Sequence, residues 1–350
     1  MKRLMSGNEA MAEGAIQAGC TFYAGYPITP QNEIPAYMSW RMPESGGIFI
    51  QAESELAAIN MVYGAAAAGV RAMTSSSSPG MSLKQEGISY IAGAQLPAVI
   101  VNVMRGGPGL GNIAPAQSDY FQATKGGGHG DYHPIVLAPA AVQEAYDMMP
   151  LAFGLADKYR DPVIILVDGM LGQVMEPIIA QSAKRKTQNY KKPWALTGCK
   201  DREPNIAKSF FLKDGDLEKA NIILQKIYKA IKEKEQRYEA LNLSGAKIIL
   251  VAYGTMARIA KGALNCLRKE GKIVGLIRPI SLWPFPEKII KKVSNPKVKF
   301  LVVEMSYGQM LEDVKLAVNG KSPVEFLGRA GGGVPSEEEI VKRVMGMSCG

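Results

Sequence analysis

The chain is poor in the features that would mark several common protein classes. Its four cysteines, Cys20, Cys199, Cys266 and Cys349, are scattered, and no C-x-x-C pair occurs. That spacing argues against a structural zinc site or an iron–sulfur cluster within this chain. Free, mostly buried thiols fit a reducing compartment. No uninterrupted apolar run reaches the roughly 18 residues of a membrane span. The opening residues, from Met1 to Asn8, turn polar too soon for a signal peptide. A soluble cytoplasmic protein with no membrane partner is expected. No G-x-G-x-x-G follows a strand with an acidic residue downstream, which counts against a self-sufficient nucleotide-binding enzyme. The net charge of +9 comes without aromatic interleaving or a nucleic-acid motif, so no nucleic acid is expected as a partner. The excess is concentrated in residues 184–202 and along residues 217–238. A solvated insertion or a docking face for an acidic partner explains it better.

What is present points to α/β layers. The chain has 350 residues, is 47% hydrophobic and is rich in glycine and alanine. That length suggests about two domains, each able to bury its own core. Helical spacing covers residues 7–19, with Asn8 as a possible cap, and residues 31–41, interrupted early by Pro35. A short buried strand is expected at 47–51, a helix lined with alanine and glycine at 56–69, and a further helix at 81–93. Strands are expected at 21–24, 71–74, 98–104 (with Asn102 interrupting its apolar run), 134–139 and 163–167. A helix at 143–159 stands between the last two. Apolar strands alternating with helices predict a parallel sheet covered on both faces. From Gln181 the character changes. Residues 184–202 are basic and irregular, and residues 216–241 read as one amphipathic helix with Asp216 as its cap. A second α/β block starts at Lys247, with a closing helix from Glu337. The expected division is residues 1–180, a linker with its helix at 181–245, and residues 246–350.

Polar motifs cluster where the strands of the first block end, the edge at which open α/β sheets bind ligands. Tyr26-Pro27-Ile28-Thr29-Pro30 follows the first of these strands, and its prolines hold Tyr26 and Thr29 near extended backbone. Glu53 and Glu55 follow the next. Thr74-Ser75-Ser76-Ser77-Ser78-Pro79-Gly80 leads into a helix N-terminus suited to a polar ligand edge, although plain serine capping also explains it. Arg105-Gly106-Gly107-Pro108-Gly109-Leu110-Gly111 ends a strongly apolar strand. A second glycine-rich loop, 125–131, follows a segment carrying Gln117, Asp119 and Tyr120. Long polar glycine-rich connections are usually functional or disordered, and two in one domain favour function.

These pieces, in this order, resemble the 2-oxoacid:ferredoxin oxidoreductases, which use thiamine diphosphate. Within that family the chain is similar to the alpha-type subunit of the branched-chain (3-methyl-2-oxobutanoate) enzymes. The resemblance is densest over residues 7–177 and returns over 247–340. It implies a parallel-sheet pyrimidine-binding domain followed by a transketolase C-terminal-like α/β domain. It also implies oxidative decarboxylation of a 2-oxoacid with coenzyme A to acyl-CoA, CO2 and reduced ferredoxin. Overall likeness alone points to 3-methyl-2-oxobutanoate, and 2-oxoglutarate and pyruvate stay open. A non-catalytic subunit of such a complex is the alternative from another class.

Through Ser54-Glu55-x-Ala57-Ala58, Glu55 matches the family's catalytic glutamate, which hydrogen-bonds N1′ of the cofactor's aminopyrimidine. That bond favours the tautomer that accepts the thiazolium C2 proton, and the carboxyl needs shelter to hold a proton there. Glu53, two residues away, should point elsewhere. Thr29 matches the threonine that contacts cofactor or substrate, and Arg105 the arginine that clamps the substrate carboxylate. Gly308-Gln309-Met310 and residues 328–332 match family landmarks and are read as turns and subunit contacts. The Gly-Asp-Gly motif that holds the diphosphate through Mg²⁺ is lacking. Val167-Asp168-Gly169 is the nearest approach, and Asn189 follows inside the basic stretch. No metal ligand is therefore expected here, and the chain reads as half an active site. Mg²⁺ and 4Fe-4S clusters would sit on partner chains: a beta-type thiamine-diphosphate-binding subunit, a gamma-type subunit and a ferredoxin-like subunit, with ferredoxin as electron acceptor.

Overall fold

The computed structural model describes residues 2–180 and 190–347. The first part of the chain runs β1 (Lys2–Ser6), α1 (Gly7–Gln17), β2 (Phe22–Gly25), α2 (Glu33–Glu44), β3 (Ile48–Gln51), α3 (Glu55–Ala67), β4 (Ala72–Ser76), α4 (Ser78–Gly93) and β5 (Val99–Met104). It continues through α5 (Tyr120–Thr124), β6 (Ile135–Leu137), α6 (Val142–Tyr159), β7 (Val163–Asp168), α7 (Gly169–Gln173), β8 (Met175–Ile179) and α8 (Asp216–Lys234). The remainder is β9 (Tyr238–Leu241), β10 (Ile248–Val251), α9 (Gly254–Lys269), β11 (Val274–Pro279), β12 (Ser281–Trp283), α10 (Glu287–Val293), β13 (Lys299–Glu304), α11 (Gln309–Val318), β14 (Val324–Gly328) and α12 (Glu337–Gly346).

A seven-stranded sheet has the order β12-β6-β7-β5-β4-β2-β3. Its strands run parallel except β12, which is antiparallel to β6 at one edge. The central strands β4, β5 and β7 are buried along their whole length. Their near-continuous apolar sequences follow from helices covering both faces. A five-stranded sheet has the order β14-β13-β10-β11-β9, parallel but for β9 at its edge. The chain is thus mixed α/β with parallel sheets, as expected. No helix among the described residues is long and apolar enough to cross a membrane.

Several local expectations are corrected. Pro35 does not interrupt α2, because it lies in the first turn, where its missing N–H has no partner within the helix anyway. The cap of α1 is Ser6, in a capping box with Glu9. Asn8 instead donates to Pro30 O at 2.8 Å and Glu33 Oε2 at 2.7 Å, tying the proline loop to α1. Strand β3 is an exposed edge rather than a buried strand, with Ile48 57% exposed. Helix α8 is preceded by Gly215 at positive φ, and Asp216 is its first residue rather than its cap. The helix stops at Lys234, and the residues after it form β9, paired with β11. Gly308-Gln309-Met310 starts α11, and Gly328 ends β14. Strands β1 and β8, an antiparallel pair, and β12 have no counterpart among the elements expected from the sequence. The thiols are not mostly buried: Cys20 is buried, whereas Cys199 and Cys266 are exposed. Cys349 and Asn189 lie outside the described residues, as does the basic stretch up to residue 189. The rest of that stretch is strapped onto the first block. Lys192 Nζ pairs with Asp157 at 2.8 Å, and Leu196 N donates to Ala67 O at 2.9 Å.

The two blocks are bolted together by buried polar groups. Gln117 donates to Tyr253 O at 2.9 Å and accepts from Met305 N at 3.0 Å. Tyr120 donates to Asp313 at 2.6 Å, and Arg278 grips Glu144 with two bonds of 2.6 and 2.7 Å. Gln117 and Tyr120, in the segment between the glycine loops, are therefore structural ties. The 125–131 loop packs tightly on α4, where a Cβ at Gly127 would lie 2.5 Å from Gln85 Oε1.

Candidate active site at the carboxyl edge of the first sheet

The parallel strands β3, β2, β4 and β5 are neighbours and point the same way. Their carboxyl ends therefore open on one side. The loops there carry Glu55 after β3, Thr29 after β2, Ser76 to Ser78 at the end of β4, and Arg105 after β5.

Glu55 is the first residue of α3, whose N-cap is Ser54, with Ala57 N donating to Ser54 Oγ at 3.2 Å. The Glu55 residue is 6% exposed, whereas Glu53 is exposed. Its carboxylate accepts no hydrogen bond among the described residues. It lies across Gly80 in the first turn of α4. A Cβ on Gly80 would stand 2.4 Å from Glu55 Oε1 and 2.2 Å from Ser76 Oγ, so no side chain fits there. Gly80→Ala is expected to displace the Glu55 carboxyl and lower turnover by about tenfold to a hundredfold. Alanine is favoured over glycine within a helix by up to about 1 kcal/mol, which offsets part of the clash. Melting and turnover measured together check this, with the melting temperature changing far less than activity.

Thr29 is half-buried, and the Thr29–Pro30 peptide is cis. Its hydroxyl accepts from Asn32 Nδ2 at 3.2 Å, which leaves the O–H free to donate. Arg105 is 7% exposed and holds two loops in place. Nη1 donates to Thr29 O at 3.0 Å and Nη2 to Leu110 O at 3.0 Å. Two of its five N–H donors are thereby used, and Nε is buried with no partner among the described residues. The Arg105 loop is closed by Gly106 N donating to Ala114 O at 2.9 Å. Gly111 sits at φ 62° with Gly106 O where a Cβ would be. The second block supports it, Asn112 Nδ2 donating to Gly331 O at 3.0 Å.

Ser78 links this arginine to a buried acid. Its Oγ accepts from Arg105 N at 3.0 Å and donates to Asp119 Oδ2 at 2.7 Å. Asp119 Oδ2 also accepts from Asn102 Nδ2 at 2.9 Å. Burial pushes the Asp119 carboxyl above the usual range, and these two donors pull it back. Plain serine capping of α4 is not what the turn does: Ser77 is the N-cap but its side chain makes no cap bond. Ser76 Oγ, Ser77 Oγ and Asn102 Oδ1 are all buried and have no partner among the described residues. Buried polar atoms are normally paired, so this edge suits a polar ligand.

Thr29, Glu55 and Arg105 thus lie at one edge, with Thr29 and Arg105 in contact. Asp168 is turned to another task. It caps α7 through Leu171 N at 3.0 Å and accepts from Thr255 N and Oγ1 at 3.0 and 2.7 Å. Its carboxylate is thus occupied by the join between the blocks. Sequence reasoning missed Lys84, which is fully buried and donates to Thr74 Oγ1 at 3.1 Å and to Glu55 O at 3.3 Å. The signal was legible: Lys84 falls in the helical stripe Met81, Lys84, Ile88, Ile91.

Residues 13–240 match the family model described as pyruvate flavodoxin/ferredoxin oxidoreductase, thiamine diphosphate-binding. The chain belongs to the 2-oxoacid:ferredoxin oxidoreductase family. Residues 246–340 match a second model of that family, core domain II of pyruvate:ferredoxin oxidoreductase. The chain is 52% identical over 343 residues to the ketoisovalerate oxidoreductase subunit VorB of Methanothermobacter marburgensis, covering 98% of this chain and 97% of that one. It is 35% identical to the 2-oxoglutarate synthase subunit KorA of Methanocaldococcus jannaschii, with 98% and 99% covered. A solved 2-oxoglutarate:ferredoxin oxidoreductase from Magnetococcus marinus, with 2-oxoglutarate, coenzyme A and succinyl-CoA bound, superposes with a TM-score of 0.85 at 28% identity. That match covers 98% of this chain, which spans 65% of the length of the solved chain. Both of these relatives are named as subunits, which implies a multi-subunit complex.

Proposed function

We propose that this chain is the alpha-type subunit of a branched-chain 2-oxoacid:ferredoxin oxidoreductase, acting on 3-methyl-2-oxobutanoate. The observation that carries the reading is Glu55, sheltered at a helix start, whose carboxylate accepts no hydrogen bond among the described residues. It sits at the same sheet edge as Thr29 and Arg105. The reaction is 2-oxoacid plus coenzyme A and oxidised ferredoxin to acyl-CoA, CO2 and reduced ferredoxin.

The residues fit thiamine diphosphate. Glu55 would hold a proton at N1′, and Ser76 and Ser77, whose hydroxyls have no partner among the described residues, lie where β4 ends at that edge. When bound, the cofactor supplies the nucleophilic carbon that attacks the 2-oxoacid carbonyl. Arg105 would take the substrate carboxylate through the N–H groups left free, with Nε foremost, and Thr29 would donate its hydroxyl proton beside it. The Arg105 loop bears the exposed apolar Leu110 and Ile113 and no second cation through residue 115. That supports an aliphatic side chain rather than the second carboxylate of 2-oxoglutarate.

The engagement of Asp168 by Leu171 and Thr255 supports a shared site, in which a beta-type partner supplies the diphosphate and Mg²⁺ half. The 4Fe-4S clusters then belong to partner chains, including a ferredoxin-like one, in a cytoplasmic complex with a gamma-type subunit. The test is 2-oxoacid-dependent viologen reduction with coenzyme A, by the complex purified anaerobically through a tag on this chain. Faster turnover of 3-methyl-2-oxobutanoate than of pyruvate or 2-oxoglutarate supports the reading. Preference for either of the others corrects the substrate, and no activity with any of the three overturns the function.

A further inference from the structure

Lys84 has no part in the scheme above, yet its position is costly. It lies on the buried stripe of α4 among Met81, Ile88 and Ile91, with no exposed surface. A methionine would fill that place without the penalty of a buried charge. Among the described residues its ammonium nitrogen hydrogen-bonds to two neutral oxygens, Thr74 Oγ1 on β4 at 3.1 Å and the Glu55 carbonyl on α3 at 3.3 Å. Among the described residues no carboxylate forms an ion pair with it. Burial works against the Lys84 charge, and the Glu55 carboxylate works for it.

We propose that Lys84 is a positioning residue for Glu55. Its ammonium group pins the first turn of α3 to β4 and serves as the internal counter-charge that keeps the Glu55 carboxyl over Gly80. This rests on the reading of Glu55 as the group that holds a proton at N1′. Three elements meet here. Helix α3 brings Glu55, β4 brings the neutral Thr74, and α4 brings Lys84 itself. Burial lowers the Lys84 ammonium to about 8, with Glu55 opposing the shift. The pin is therefore charged at neutral pH and loses its proton as pH rises through about 8. Turnover falls over that range in the native complex.

The test has two arms. In the first, the full chain labelled with carbon-13 at lysine Cε is titrated by NMR without cofactor, and Lys84→Met identifies the resonance. A midpoint near 8 that moves to lower pH in Glu55→Gln is expected. A midpoint among those of ordinary lysines, or one unmoved in Glu55→Gln, overturns the coupling. In the second arm, Lys84→Met in the assembled complex lowers turnover about tenfold or more at neutral pH and removes the alkaline fall. Native turnover by Lys84→Met beside an inactive Glu55→Gln overturns the role of Lys84 alone. Native turnover by Glu55→Gln overturns the reading of Glu55 itself, whatever the titration shows.

Discussion

Replacing Glu55 with glutamine lowers 2-oxoacid-dependent turnover of the assembled complex by about 10²–10⁴-fold, the usual loss when a positioned proton-transfer group is removed. Glutamine has the same shape, so it lies across Gly80 as glutamate does. The Ser54 cap of α3 is untouched, because the cap bond runs to Ala57 N. What changes is the ability to hold and share a proton with a ring nitrogen. An amide offers an N–H or a carbonyl oxygen but does not exchange a proton at neutral pH. The control is Glu53→Gln. Glu53 is exposed, and its loss leaves turnover within about twofold. Steady-state turnover of both variants, with melting curves to show intact folding, checks the contrast.

Arg105→Ala raises KM for the 2-oxoacid, or lowers kcat/KM, by roughly 30-fold to 5000-fold. The basis is the 2–5 kcal/mol lost when one partner of a buried charge pair is truncated. The KM for coenzyme A stays near its native value, which separates a lost carboxylate clamp from a collapsed site. Part of the effect comes from the loops, because Nη1 and Nη2 anchor Thr29 O and Leu110 O. Arg105→Lys divides the two contributions. One ammonium cannot serve two carbonyls and a planar carboxylate at once. Lysine therefore restores a charge but not the clamp, and its kcat/KM is expected to stay well below native. Full recovery in Arg105→Lys would reduce Arg105 to a source of charge.

Much of this edge was legible in the sequence because its elements are set locally. The serine before Glu55 caps a helix, the short, β-branched stretch at 99–104 favours a buried strand, and Arg105 marks its end. The distinction between Glu53 and Glu55 needed only a helix start. What escaped was decided by distant partners. Strand β12 is three residues long, and pairing with β6 makes it a strand. Strand β9 follows a helical pattern without a turn residue and is captured by β11. Asn8 resembles a cap in sequence but finds better partners in Pro30 and in Glu33 at the start of α2. Gln117 and Tyr120 look like binding-loop residues because buried ties between distant elements use the same polar groups as ligand sites. Lys84 stood in plain view as a charge on an apolar stripe, but its meaning depends on Glu55, which the fold alone brings beside it.

The most direct measurement is thiamine diphosphate binding by equilibrium dialysis with Mg²⁺, made on this chain alone and on the complex purified through it. A half-site supplying Glu55, Thr29 and Arg105 but no diphosphate-holding group should retain the cofactor only in the complex, one per copy of this chain. Tight, stoichiometric binding by the isolated chain would contradict a shared active site. It would require the diphosphate and Mg²⁺ ligands to lie within these 350 residues.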